Sequence, residues 1–146
     1  MTPRDPEQIA NVIDTLRRLY AHAVAITGNR RAGMAIVQSA LKRHPRNPSG
    51  IDLLTMRALL RDVTDTCRAV PGGKDVVPGF GADFARLTFE ARACLSLRIN
   101  FGLAFGEIAK ILSLSCCRAR KLYSESIAGL DPGLHGGASV SPPPGT

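Results

Sequence analysis

Apolar residues recur along the start of the chain at the three-and-four spacing of a helix with one buried face: Ile9, Val12, Ile13, Leu16, Leu19, Tyr20, Ala23 and Val24. Asp5 before Pro6 is a start signal, since the carboxylate can cap the helix and proline has no N–H to lose in a first turn. Gly28 is a stop signal of the C-cap kind. A second helix is predicted over 31–43, burying Met34, Val37, Ala40 and Leu41. Residues 44–50, with Pro45 and Pro48, read as a loop. Ser49 is a candidate cap for a third helix with the stripe Leu53, Met56, Leu60, Val63 and Cys67.

The periodicity then stops. Residues 71–81 read PGGKDVVPGFG, a linker composition with no period. Three further helices are predicted over 84–101, 105–112 and 116–130, the last two separated only by Ser113, Leu114 and Ser115. No strand-like alternation competes with this pattern. The expected fold is all-α: a three-helix module over 1–70, a linker over 71–83, a second three-helix module over 84–130, and a Gly/Pro/Ser-rich, disordered tail over 131–146.

Residues 103–130 carry the most specific signal. Phe105, Ile108, Ala109 and Leu112 form the apolar side of a short helix, Leu114 is an inward anchor in the turn, and Ser115 is placed to cap the next helix. That helix hides Ala119, Leu122, Tyr123, Ser126, Ile127 and Leu130, which leaves Lys121 on the opposite face with Arg118 and Arg120 on its flanks. A short helix, a three-residue turn and a helix with cations in its first two turns is the layout of a DNA-reading helix-turn-helix. The pattern also fits an ordinary helical hairpin with solvated arginines, and Glu125 interrupts the basic face.

Composition narrows the function classes. The chain has 146 residues, 45% hydrophobic and 21% charged, as a folding protein does. No apolar run approaches the roughly 18 residues of a membrane span, and residues 1–8 show no apolar core of a secretory signal, so a cytoplasmic location is expected. The net charge of +7 divides into +5 on residues 1–70 and +4 on 84–130, with −1 on each remaining segment. Nucleic acid or an acidic protein surface is the natural partner of such a chain. Cys67, Cys94, Cys116 and Cys117 form no C-x-x-C pair, and His22, His44 and His135 show no ligand spacing, so neither a metal nor another cofactor is expected. Cys116 and Cys117, near a helix start, are candidates for a redox role or for plain packing. With no nucleophile motif, and Gly79-Phe80-Gly81 as the lone phosphate-loop fragment, neither an enzyme nor a small-molecule substrate is expected.

Two stretches carry a family resemblance. Glu90-Ala-Arg92, Leu95-Ser-Leu97-Arg98 and the run from Gly102 to Leu112 (GLAFGEIAKIL) resemble the promoter-binding C-terminal domain of bacterial sigma factors of the extracytoplasmic-function (ECF) branch. In the first module, Leu19-Tyr20, Ile26-Thr27-Gly28-Asn29-Arg30 and Ile36-Val37-Gln38 resemble the N-terminal domain of the same family, in the same order. The resemblance implies transcription initiation, with Arg118, Arg120 and Lys121 on promoter DNA. It further implies that Arg31, Met34 and Gln38 contact core RNA polymerase, an anti-sigma factor, or both.

The departures from that pattern suggest a second role. Where the family carries acidic polymerase-docking residues, this chain has Arg31, Ala32, Gly33, Met34 and Ala35. The strand-separating stretch, 51–70, holds no aromatic residue to stack a base, although Arg57, Arg61 and Arg68 can follow phosphates or simply face solvent. Ala104 replaces a capping serine. The sigma-like half of PhyR-type stress regulators is similar at Leu-Thr-Gly-like residues 26–28 and at Gly33, and it implies a mimic that binds an anti-sigma factor or polymerase without melting DNA.

Overall fold

The computed structural model describes residues 6–44, 53–70, 84 and 86–130. Asp5, Ser49, the linker 71–83 and the tail 131–146 lie outside the described residues. Within them the chain is all-helical: α1 (Pro6–Thr27), α2 (Arg30–Arg43), α3 (Leu53–Arg68), α4 (Phe89–Phe101), α5 (Phe105–Leu112) and α6 (Cys116–Leu130).

The first turn is built as its residues dictate. Gly28 takes the left-handed conformation (φ 64°) that costs glycine nothing, and its N–H reaches Val24 O at 2.8 Å. Thr27 Oγ1 donates to Ala23 O at 2.7 Å. Asn29 Oδ1 then accepts from Ala32 N at 3.0 Å and caps α2, which starts at Arg30, one residue before the predicted start. α2 folds back onto α1 so closely that a Cβ at Gly33 would lie 3.0 Å from Ala23 C and Val24 N. Glycine is needed there for close helix packing.

α4 starts at Phe89, later than the predicted 84. Thr88 Oγ1 accepts from Ala91 N at 3.2 Å and caps it, while the preceding turn returns Leu87 N to Phe84 O. Phe84 is buried in a small cluster with Ala25 and Leu95. α4 is the central helix: Ala91, Ala93, Cys94, Leu95, Ser96 and Leu97 are all buried, and it packs on α1, α5 and α6.

The two helix triplets share one apolar core. Leu19, Ala23 and Ile26 of α1, Val37 of α2 and Leu59, Leu60 and Val63 of α3 are continuous with Leu97 of α4, Ile108 and Ile111 of α5, and Ala119 and Leu122 of α6. One polar knot lies inside it. His22 is fully buried, with Nδ1 2.7 Å from Ser96 Oγ and Nε2 2.9 Å from Thr64 Oγ1, which ties α1 to α4 and α3. Burial pushes the imidazole pKa down to about 3, so the ring is neutral, one nitrogen donating and the other accepting.

Candidate functional site

α5 and α6 meet through a turn whose every residue has a task. Ser113 closes α5 in the left-handed conformation (φ 58°), and Leu114 N reaches back to Ala109 O at 2.9 Å. Leu114 packs against the core. Ser115 Oγ accepts from Arg118 N at 3.0 Å, the cap expected from its position. At the other end of α5, Ala104 holds cap geometry (φ −66°, ψ 152°) but offers no side-chain acceptor.

α6 buries Ala119, Leu122 and Ser126 and turns Arg118, Arg120 and Lys121 to solvent. The Arg120 guanidinium sits 5.7 Å from the Phe105 ring centroid, and Arg98 lies over the same ring at 4.7 Å. Phe105 is in turn held edge-on by Tyr123 at 5.4 Å. Arg118, Arg120 and Lys121 make no ion pair among the described residues. The first turn of α6 holds no acidic residue, and Glu125 is exposed one turn beyond Lys121.

The α3 arginines have a different fate. Arg57 Nε and Nη2 donate to Glu107 Oε2 and Oε1 at 2.9 and 2.6 Å, a two-pronged pair from α3 to α5. That pairing holds the Glu107 carboxyl below its ordinary pKa. Arg61 Nη2 donates to Ser113 Oγ at 2.9 Å, and Arg68 pairs with Glu90 while lying over Phe89 at 4.8 Å. Arg61 and Arg68 are exposed, and all three side chains also bond to α4 or to the α5 region. Their partners Glu90, Glu107 and Ser113, with His22, Thr64 and Ser96, were missed from sequence. α3 shows its own half of these contacts as one stripe at spacings of four, three and four, Arg57, Arg61, Thr64 and Arg68, but nothing local names the partners across the linker.

On α2, Arg31, Met34 and Gln38 come together. With Asn29, Arg30 and Ala35 they line an open depression of about 560 Å³. Met34, expected in the core, is 42% exposed there, because α2 turns Gly33, Val37 and Ala40 to α1 and α3 instead.

Cys116 and Cys117 are exposed, whereas Cys67 and Cys94 are buried. Burial pushes the thiol pKa of Cys67 up to about 12 and that of Cys94 to about 11. Among the described residues no three His, Cys, Asp or Glu side chains gather to hold a metal ion, and no helix is long and apolar enough to cross a membrane. No family model, curated protein or solved structure matches the chain.

Proposed function

We propose that the protein is a divergent sigma-like transcription factor of the ECF type that places α6 on promoter DNA. One observation carries the reading. At the head of α6, behind a serine-capped three-residue turn, Arg118, Arg120 and Lys121 are exposed without carboxylate partners among the described residues. Such a helix can enter the major groove with its first two turns, where arginine and lysine donate to guanine O6 and N7 or to phosphates. Phe105 steadies Arg120 at 5.7 Å and reduces the side-chain freedom lost on binding. The role is non-enzymatic, needs no cofactor, and places the protein with polymerase in the cytoplasm.

Titration of the full-length chain with duplex promoter DNA over a range of salt tests this. Each phosphate contact contributes a slope of about −0.9 in log K against log salt, so a few contacts give a shallow line. Absence of binding even at low salt overturns the DNA reading.

The α3 arginines favour a second reading, a mimic working through polymerase or an anti-sigma factor without melting DNA. Arg57, Arg61 and Arg68 are occupied by α4 and α5 groups and cannot follow a separated strand while those contacts stand. Recovery of core polymerase with the native protein, together with strand opening at a promoter, would rule the mimic out.

A further inference from the structure

We propose that the outward face of α2 is a docking surface for an acidic amphipathic helix of another protein. α2 contains four cations, Arg30, Arg31, Lys42 and Arg43, and no acidic residue. Arg31, Met34, Ala35, Gln38 and Lys42 are exposed at helical spacings that place them in one stripe. At 1.5 Å per residue, Arg31 and Lys42 stand about 16 Å apart along the axis, the length of three helical turns. The open depression occupies the Arg31 half of this stripe, where Arg31, Met34, Ala35 and Gln38 all line it, and Lys42 stands one turn beyond Gln38.

The chemistry of the stripe selects the occupant. Carboxylates near the two ends of a short helix would meet Arg31 and Lys42, neither of which has an ion-pair partner among the described residues. Apolar residues at three-and-four spacing on that helix would cover Met34 and Ala35, and methionine adapts to varied shapes. Nucleic acid would engage the cations but gain nothing from the thioether and methyl between them. A second copy is disfavoured because the carboxylates near its other exposed apolar residues are engaged: Asp14, next to Ile13, pairs with Arg18, and α4, which carries the exposed Ile99, has Glu90 as its one acidic residue, paired with Arg68. The surface is also stiff. The Asn29 cap, the close approach at Gly33 and the clasp of Asp62 by Arg43 at 2.9 and 3.0 Å fix α2 against its neighbours.

This inference deepens the assignment of Arg31, Met34 and Gln38 as contact residues and does not depend on DNA binding by α6. The test is a display library of 20-residue helix-forming peptides with randomised surfaces, selected on the full-length protein. The enriched sequences should carry net negative charge and an apolar pair three or four residues apart. They should bind Arg31→Glu/Lys42→Glu, and separately Met34→Asp, about tenfold or more weakly, the scale of a lost interface anchor. Each variant should keep the wild-type thermal transition, since all three side chains are exposed.

No enrichment, enrichment without acidic bias, or equal binding to the variants overturns the proposal. So does a loss of duplex DNA affinity in Arg31→Glu/Lys42→Glu as large as the loss of peptide affinity, which would make the face a nucleic-acid surface. Self-association abolished by Met34→Asp would overturn it in favour of a second copy. Failure of α6 to bind DNA, with peptide binding intact, sinks only the transcriptional reading.

Discussion

α3 and α6 each carry three cations, and their surroundings give them opposite roles. Arg57, Arg61 and Arg68 are answered by Glu107, Ser113 and Glu90, so α3 spends its charge holding the two helix triplets together. Arg118, Arg120 and Lys121 meet no carboxylate among the described residues. The second triplet has three acidic residues, and α3 engages two of them, leaving Glu125 as the only one on α6. Its outward potential is therefore more positive at α6 than the count over residues 84–130 implies. Proximity of opposite charge, more than number of cations, decides which basic helix is available to a polyanion.

The largest expected effect comes from exchanging the fates of these two sets. Arg118→Ala/Arg120→Ala/Lys121→Ala should weaken duplex DNA binding by roughly 100-fold or more and flatten the salt slope by up to about 2.7, since each lost phosphate contact removes about 0.9. The thermal transition should hardly move. Arg57→Ala/Arg61→Ala/Arg68→Ala should do the reverse, lowering the transition temperature and leaving the salt slope intact. A flattened slope in the α3 variant would show that α3 contributes phosphate contacts after all.

His22 gives the next effect, and it concerns the same junction. Its folded-state pKa of about 3 lies below the ordinary 6.5, so the folded protein binds fewer protons than the unfolded chain in that window. The stability contributed by the neutral ring is complete above pH 6.5 and is lost as pH falls towards 3, at up to about 1.4 kcal/mol per pH unit. Denaturant unfolding at pH 7.0, 6.0 and 5.0 reads that slope. His22→Gln should be less stable at pH 7 and nearly flat over the same range. A wild-type curve as flat as the variant's would mean that the imidazole is not buried between Ser96 and Thr64.

What the sequence disclosed follows from range. Within α5 and α6 the bounds, the Leu114 anchor and the Ser115 cap were all legible, because caps and apolar spacing act over three or four residues. Phe84 and Leu87 keep a helical spacing that points to an earlier start of α4, yet they occupy a turn that buries Phe84. The spacing of Met34 fits α2's apolar stripe and points to the core, and only the crossing at Gly33 decides which side of the helix faces α1. The Arg57–Glu107 pair spans fifty residues and a linker, and no local pattern encodes it. At the candidate site, the exposure of Arg118, Arg120 and Lys121 was legible. The loss of Arg57, Arg61 and Arg68 to internal pairing was not.

The smallest effect sharpens the comparison at the point where α3 meets α5. Ala104 already has cap geometry, and Glu107 N and Ile108 N both reach Ala104 O at 3.0 Å, so Ala104→Ser needs no backbone change. A serine oxygen there can accept from the first-turn N–H groups and should stabilise the protein by about 1 kcal/mol. Glu107 stands three residues after the cap, where a carboxylate could reach back to complete a capping box. Arg57 holds that carboxylate at 2.6 and 2.9 Å, so in the wild-type background the serine acts alone. Removing Arg57 frees Glu107, and the gain from Ala104→Ser should then be larger in Arg57→Ala than in wild type. Denaturant unfolding of the four members of this cycle measures the difference. Equal gains in both backgrounds would mean that Glu107 is not committed to α3, and the contrast between the two basic helices would lose its firmest contact.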